Sequence, residues 1–295
     1  MRDLTDLVPP LLRLCFEAGE LICQHYHAPG DSGLSAKADD SPLTHADLDS
    51  HVHLREGLAA LTPDLPLLSE ESSPGTKARR HSWSRFWLVD PLDGTKEFVA
   101  GTGEFTINIA LVDEHRPVLG MLYVPLQKIA YVGIPGDFAA RFSSGDGQAW
   151  ERQPLATRPL AVNGDNAEAR GLTVLASRRH RNRQLDVCLA WLESRRGPLQ
   201  RENSGSALKF CRLAEGRGDV YPRFSPCCEW DVGAGQALLE AAGGSVLGLD
   251  GKPLRYNCRD TLLSPHFLAV GDAESPLWQE LLANQRRFAA PAGGG

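Results

Sequence analysis

The sequence contains no apolar run of about 18 residues, the length that a helix needs to cross a lipid bilayer. No membrane-spanning segment is therefore expected. The first residues also lack the basic segment, apolar core and small-residue cleavage site of a secretory signal, which predicts a cytoplasmic protein. Peripheral association with the cytoplasmic face of the inner membrane is left open by these observations, and so is the oligomeric state.

Disulfide and zinc chemistry also lack support in the sequence. The seven cysteines are odd in number and form no Cys-x-x-Cys pair, so we interpret them as reduced thiols. The nine histidines show no His-Glu-x-x-His spacing, and no Ser-His-Asp or Cys-His arrangement stands out. The net charge of −6 argues against non-specific binding to nucleic acid. An acidic protein that binds a phosphate needs local positive charge, which bound divalent cations can supply.

The sequence does contain a stretch in which an apolar strand leads into two acids. Residues 86–89 are predicted to form a buried strand, and Asp90, Pro91, Leu92, Asp93 and Gly94 follow it. Because Pro91 fixes its own φ and disfavours helix at Asp90, we expect the strand to stop and turn there. Two carboxylates at a strand end are suited to a hard cation. The alternative is a plain turn, since Asp-Pro and Asp-Gly are common turn dipeptides.

Three further acids also lie at the predicted ends of elements. Glu70 follows a short apolar run, Asp47 stands three residues after Thr44 in a capping-box spacing, and Asp231 begins a helix. Each has a structural alternative: a solvated acidic face for Glu70, and helix capping for Asp47 and Asp231. If these acids converge, they would repel one another without a cation, and they would form an oxygen-rich site suited to Mg²⁺.

The hydrophobic pattern divides the chain into an α+β first half with an antiparallel meander and an α/β second half. A proline-rich boundary predicts an N-terminal subdomain of residues 1–157 and a C-terminal subdomain of residues 158–295, with the last seven or so residues disordered. Helices are predicted over residues 9–26, 43–61, 184–193, 207–215, 231–242 and 277–288. Strands are predicted over residues 65–68, 86–89, 106–112, 118–124, 129–134, 172–176, 219–223, 245–249 and 267–270.

Three motifs resemble the signatures of the inositol monophosphatase superfamily in both order and spacing. They are residues 68–71 (Leu-Ser-Glu-Glu), residues 90–95 (Asp-Pro-Leu-Asp-Gly-Thr) and residues 230–235, the last followed by two glycines at 243–244. Within that superfamily, residues 93–98, 103–106, 206–216 and 221–224 resemble the CysQ-type 3'(2'),5'-bisphosphate nucleotidases. Cys227, Cys228 and residues 138–158 match less well, and none of these departures touches an acidic position.

The resemblance implies a layered αβαβα sandwich with the active site between the subdomains. It also implies two or three Mg²⁺ ions per active site. The implied metal ligands are four carboxylates and one backbone carbonyl, from Glu70, Asp90, Asp93, Asp231 and Leu92. The implied catalytic residues are Asp47, Thr95 and Glu70, with Asp47 accepting the Thr95 hydroxyl so that Thr95 orients the attacking water. The N–H groups of Gly94 and Thr95 would hold the phosphate.

The reaction implied is hydrolysis of a small-molecule nucleotide, 3'-phosphoadenosine 5'-phosphate, to AMP and phosphate by in-line attack of a metal-activated water. The phosphosulfate form of that nucleotide is a second candidate substrate. The candidates for binding substrate are Glu70, Leu92, Asp93, Asp231, Gly94 and Thr95 at the metal site, together with Lys96, Lys209, Arg223 and the N–H groups of Ser204, Gly205 and Ser206. Lys96, Lys209 and Arg223 each have a purely structural alternative.

Two other functions are weighed beside this one. The first is an inositol monophosphatase or a sugar-bisphosphate phosphatase, which would use the same metal site. The second is a nucleotide-sensing binding protein without catalysis. The presence of both Asp47 and Thr95 argues against the second, because a pure binding protein does not need a pair that activates water.

Overall fold

A computed structural model describes residues 3–28, 35–36, 42–160, 171–177 and 182–284 of the chain. The helices in this part of the chain are α1 (Val8–His27), α2 (His45–Leu61), α3 (Pro74–Arg79), α4 (Thr95–Val99), α5 (Arg183–Arg196), α6 (Leu208–Ala214), α7 (Gly233–Ala241) and α8 (Pro276–Ala283). Among these described residues, no helix combines the length and the hydrophobicity that crossing a bilayer requires.

The strands form two large sheets and one short hairpin. The hairpin pairs β1 (Ser35–Ala36) with β2 (Pro42–Leu43). The strands of the first large sheet are β3 (Leu67–Ser69), β4 (Arg85–Asp93), β5 (Thr106–Asp113), β6 (Arg116–Val124), β7 (Ile129–Ile134), β8 (Phe138–Ser143) and β9 (Glu151–Pro154). The strands of the second are β10 (Thr173–Ala176), β11 (Gln200–Asn203), β12 (Val220–Arg223), β13 (Ser245–Gly248) and β14 (Phe267–Val270).

The seven-stranded sheet follows the order of the chain from β3 to β9. Only its first pair, β3 with β4, is parallel, and every later pair is antiparallel. The predicted meander is therefore present. The five-stranded sheet has the order β11-β10-β12-β14-β13 and mixes parallel with antiparallel pairs.

The elements stack in five layers, which confirms the expected αβαβα fold class. Helices α1 and α2 cover one face of the seven-stranded sheet, whereas α6 and α7 fill the space between the two sheets. Helices α5 and α8 cover the far face of the five-stranded sheet. Along β4 the period of two puts Trp87 and Val89 in the α1–α2 core, and it puts Phe86 and Leu88 in the central core.

Three differences from the sequence-based expectations concern where elements end and how they pair. Strand β4 does not stop at Asp90 but continues to Asp93, where it pairs with Thr106 after a local irregularity. Strand β11 was not expected, because its four residues are polar and mostly exposed at the sheet edge and so carry no hydrophobic pattern. The helix expected from Asp231 begins at Gly233, after a 3₁₀ turn over Glu229–Asp231.

The expected division at residues 157 and 158 stays a prediction. The first sheet ends at Pro154 and the second begins at Thr173, on either side of that point. Helix α7 from the second half nevertheless packs on strands β5, β6 and β7 of the first half. The expected disorder of the last seven residues lies outside the described residues.

Helix α7 approaches the first sheet so closely that two strand positions must be glycine. A Cβ added at Gly120 would lie 2.2 Å from the Ala234 carbonyl oxygen, and one added at Gly133 would lie 2.3 Å from Leu238 Cα. Both contacts are with helix backbone, which cannot move aside as a flexible side chain can. This contact fixes the distance between α7 and the sheet.

We expect Gly133→Ala to lower the free energy of unfolding by about 2–3 kcal/mol, because the added methyl group must push α7 away from the sheet. Urea unfolding followed by circular dichroism would measure the change. Gly145→Ala is the matched control, since a Cβ there would meet nothing within 4 Å. Equal unfolding midpoints for the two variants would contradict the packing argument.

Candidate active site

Three aspartates converge between the two halves of the chain. Asp90 and Asp93 lie at the end of β4, and Asp231 lies in the 3₁₀ turn before α7. Each offers a carboxylate oxygen, and these oxygens all lie within 4.8 Å of one another. Asp90 is fully buried, whereas the other two are partly exposed. Carboxylates grouped in this way match the oxygen ligands that hard divalent cations prefer.

An irregularity in β4 brings the first two aspartates together. Residues three apart on a regular strand point to opposite faces. Between Asp90 and Asp93 the pairing with β5 shifts its register, and this shift cancels the alternation. Asp90 Oδ1 accepts the Leu92 N–H at 3.0 Å, and Ser50 Oγ donates to the Pro91 carbonyl at 2.8 Å. The local backbone is thus held by side chains as well as by the sheet.

The gathered carboxylates are electrostatically unfavourable by themselves. Burial and the nearby charges of Glu70, Asp93 and Asp231 raise the pKa of Asp90 well above its usual range. Burial, and then the charges of Asp93 and Glu70, likewise raise the pKa of Asp231. A bound cation would reverse this repulsion, so the donor set fits a divalent metal.

Glu70 and Leu92 are placed beside this group. Glu70 follows β3, its N–H donates to the Val89 carbonyl at 3.1 Å, and its charge acts on both Asp90 and Asp231. The Leu92 carbonyl accepts the Thr95 hydroxyl at 3.3 Å. Neither residue belongs to the three-aspartate group, and their roles as metal ligands remain predictions.

Asp47 makes the contacts of both alternatives considered for it, helix capping and acceptance of the Thr95 hydroxyl. Its Oδ2 accepts the backbone N–H of Thr44 at 2.8 Å and the Thr44 hydroxyl at 2.6 Å, and this completes the expected capping box at the start of α2. Its Oδ1 accepts the Thr95 hydroxyl at 3.2 Å. Asp47 is only 1% exposed, so capping fixes the carboxylate that Thr95 contacts.

Gly94 supplies the backbone bend between Asp93 and Thr95. Its φ is +93°, a conformation that favours glycine, and a Cβ there would lie 2.9 Å from the Glu104 carbonyl oxygen. Thr95 then begins α4 directly beside the aspartates. The expected contacts of the Gly94 and Thr95 N–H groups with a phosphate stay a prediction.

A hydrogen-bond network from both halves orients Asp93. The Ser206 hydroxyl donates to Asp93 Oδ2 at 2.7 Å and lies 2.6 Å from Thr106 Oγ1. Asn108 Nδ2 donates to the same Asp93 oxygen at 3.3 Å. Ser206 adopts a φ of +48°, which is uncommon for a residue other than glycine. The Ser206 hydroxyl thus supports Asp93, whereas the expected contact of the Ser206 N–H with substrate stays a prediction.

A cleft extends from the aspartates to several of the expected substrate-binding residues. Gly205, Ser206, Lys209 and Arg223 line it, together with Asp93 and Asp231. Burial lowers the pKa of the Lys209 ammonium to about 8, and that group donates to the Ser204 and Ser206 carbonyls. The Arg223 guanidinium donates to the carbonyls of residues 225 and 226, which hold it in place.

Other expected contacts are not brought to the cleft. Lys96 is exposed on α4, and neither Lys96 nor Ser204 is among the lining residues. The Ser204 N–H donates to the Ala176 carbonyl, and the Gly205 N–H donates to Glu104 Oε2 at 2.8 Å. Both N–H groups thus donate within the protein, and their expected contact with an anion stays a prediction.

The same cleft has an aromatic wall that was not predicted from the sequence. Phe210, Tyr221 and Phe267 line it, with ring centroids between 5.5 and 6.1 Å apart. The Lys209 ammonium lies 5.0 Å from the centroid of the Tyr221 ring. These aromatics come from α6, β12 and β14, so no local pattern in the sequence could group them.

We expect Asp90→Asn to stabilise the metal-free protein at pH 8, because it removes a carboxyl group whose charged form burial and the neighbouring carboxylates disfavour. Since the native pKa of Asp90 lies above the unfolded value, the wild type loses stability as the pH rises from about 4 towards the native pKa. Asparagine removes that loss while it still accepts the Leu92 N–H. Urea unfolding with a chelator present, from pH 5 to pH 8, measures the gain. Asp64→Asn, at an exposed aspartate, is the control, and a destabilised Asp90→Asn protein at pH 8 would overturn the expectation.

Comparison with known proteins places this site in a family context. The model of the inositol monophosphatase family matches residues 3–289. The chain is 41% identical over 261 residues to the 3'(2'),5'-bisphosphate nucleotidase CysQ of Escherichia coli strain K12, a match that covers 88% of this chain and 98% of that protein. It is 34% identical over 251 residues to the CysQ nucleotidase of Buchnera aphidicola, with 85% and 88% covered.

Solved structures agree with this placement. The crystal structure of CysQ from Bacteroides thetaiotaomicron, a bacterial member of the inositol monophosphatase family, is similar with a TM-score of 0.76 and 37% identity, and the match covers 92% of this chain and 98% of that one. The Thermotoga maritima IMPase shares the fold with a TM-score of 0.71 at 19% identity, over 96% of this chain and 98% of that one. The chain therefore belongs to the inositol monophosphatase family.

Proposed function

We propose that the protein is a 3'(2'),5'-bisphosphate nucleotidase, which hydrolyses 3'-phosphoadenosine 5'-phosphate to AMP and phosphate. The observation that carries this proposal is the 41% identity to a nucleotidase of that name over 98% of its length. The cleft supports it, because it joins a carboxylate cluster to two cationic side chains and an aromatic wall. The phosphosulfate form of the nucleotide is a second substrate under the same proposal.

Enzymes of the inositol monophosphatase family depend on divalent metal ions. For this chain we propose Mg²⁺, two or three ions per active site, held by the carboxylates of Glu70, Asp90, Asp93 and Asp231 and by the Leu92 carbonyl. When bound, divalent cations neutralise phosphate charge and lower the pKa of a water so that it can act as the nucleophile. The protein's part is to hold these oxygen donors in place before the substrate arrives.

Asp47 and Thr95 would orient the nucleophile. Because Asp47 Oδ1 accepts the Thr95 hydroxyl proton, the Thr95 oxygen keeps its lone pairs for a water molecule. Thr95 can then hold that water in line with the bond to be broken. The N–H groups of Gly94 and Thr95 lie next to Asp93, where they would contact the scissile phosphate.

Lys209 and Arg223 would recognise the second phosphate of the nucleotide. Both line the cleft beyond the aspartates, and their hydrogen bonds to backbone carbonyls fix their positions. The aromatic wall formed by Phe210, Tyr221 and Phe267 offers a face against which an adenine ring can pack. Lys96 is exposed and does not line the cleft, so we propose for it only a weaker contact with substrate at the entrance of the cleft.

We also propose a cytoplasmic location. All seven cysteines are free thiols, which suits the reducing environment of that compartment. The substrate proposed above is a small molecule, and the proposal needs no macromolecular partner.

The substrate is tested by phosphate release with Mg²⁺ from 3'-phosphoadenosine 5'-phosphate, inositol 1-phosphate and fructose 1,6-bisphosphate at equal concentration. We expect a clear preference for the nucleotide, since only that substrate can use both the cationic pair and the aromatic wall. A preference for either of the other two would make the protein an inositol or sugar phosphatase that keeps the same metal site. No release from any of them would point to a sensing protein.

We expect Thr95→Val to lower kcat by roughly 10²–10⁴-fold, the usual contribution of a positioned proton-accepting group, and to leave KM nearly unchanged. Valine keeps the shape of threonine but removes the hydroxyl that Asp47 accepts. Steady-state kinetics at saturating Mg²⁺ measures the loss. Thr95→Ser is the control and should retain most of the activity. If Thr95→Val kept the wild-type kcat, the role given to Thr95 would be abandoned.

A further inference from the structure

Two candidate metal ligands, Glu70 and Asp231, come from segments far apart in the sequence. Glu70 lies in the turn after β3, and Asp231 lies in the 3₁₀ turn before α7. A metal site built from two such turns requires that they keep a fixed separation, because ligand geometry controls affinity. Helix α3, which lies between Glu70 and β4 in the chain, contacts both turns.

Helix α3 places Lys77 over the first turn. The Ser73 hydroxyl caps the helix by accepting the Thr76 N–H at 3.2 Å, and Pro74 occupies its first position. Helix α3 therefore begins four residues after Glu70. One helical turn later, Lys77 Nζ donates to the Glu70 carbonyl oxygen at 2.7 Å.

The same ammonium contacts the second turn. Lys77 Nζ lies 5.2 Å from the centroid of the Trp230 ring, within the range of a cation–π interaction. Trp230 is 7% exposed and directly precedes Asp231. One cation thus contacts the backbone of one candidate ligand and the neighbour of another.

Buried hydrogen bonds also connect Arg80, the residue directly after α3, to the second turn. Arg80, which is 3% exposed, donates to Asn257 Oδ1 at 2.7 Å. The Asn257 N–H donates to Glu229 Oε2 at 2.8 Å, and Glu229 is the first residue of the turn that holds Asp231. The C-terminal end of α3 is therefore linked by hydrogen bonds to the turn that holds Asp231, and Lys77 lies three residues before that link.

The geometry points to Lys77 as a positioning residue that ties the Glu70 turn to the Trp230–Asp231 turn and so sets the metal affinity of the site. This inference rests on the proposed function only in that Glu70 and Asp231 bind metal. It does not depend on which phosphate ester is hydrolysed. Lys77 itself donates to a backbone carbonyl and is not proposed to touch metal or substrate.

The direction of the change in metal affinity distinguishes the positioning role of Lys77 from a simple electrostatic effect of its charge. Lys77 is a positive charge near a site for cations, so removing the charge alone would strengthen metal binding. Removing the contacts of Lys77 with both turns would weaken metal binding, because the two turns would no longer be held at one separation. Weaker binding after loss of Lys77 is therefore not explained by its charge.

The experiment titrates Mn²⁺ into the substrate-free protein and follows free Mn²⁺ by its electron paramagnetic resonance signal. We expect Lys77→Met to bind Mn²⁺ about tenfold more weakly, the lower end of the usual effect of a residue that supports metal ligands. Lys77→Arg keeps a cation and a donor and should recover most of the affinity. Arg79→Met, which removes an exposed charge from the same helix, is the matched control and should not weaken binding.

Unchanged or tighter Mn²⁺ binding by Lys77→Met would overturn the inference, even if the variant melted at a lower temperature. Equal weakening by Arg79→Met would also overturn it, since the effect would then belong to the helix as a whole. Absence of Mn²⁺ binding in the wild type would refute the metal site and this role together. A wild type that binds Mn²⁺ but does not hydrolyse 3'-phosphoadenosine 5'-phosphate would refute the proposed substrate alone.

Discussion

The site holds three carboxylates close together, those of Asp90, Asp93 and Asp231, and they repel one another when ionised. The favourable free energy of packing in the rest of the fold has to offset this repulsion. When no cation is bound, the packing of the elements around these aspartates keeps them together despite the repulsion. Strand β4 is held in its sheet on both sides, and helix α7 is pressed against the same sheet at two glycines. The stability of the central layer therefore keeps together groups that would otherwise separate.

Supporting side chains leave the acids little freedom. Each hydrogen bond that a carboxylate oxygen accepts from the protein reduces the number of orientations which that carboxylate can adopt. Asp47, Asp93 and Asp231 all accept backbone or side-chain donors at 2.6–2.8 Å. In such a site a cation meets ligands that are already oriented, and little ordering remains to oppose binding.

Local sequence patterns predicted the elements and the acids, because each acid lies where a strand or helix begins or ends. They could not predict how β4 passes Pro91, since a proline next to an aspartate equally favours a turn, and the sheet decided the outcome. Nor could they predict that Glu104 uses the Gly205 N–H, or that Phe210, Tyr221 and Phe267 form one wall. Those contacts join residues distant in the chain, and only the tertiary fold brings them together.

The helix layer between the two sheets belongs to both of them. Helices α6 and α7 bury one side on the seven-stranded sheet and the other on the five-stranded sheet. A fragment cut between the sheets would expose a broad apolar face and would separate Asp231 from Asp90 and Asp93. Because both halves are needed to bury this layer, we expect each half expressed alone to expose apolar surface and to aggregate.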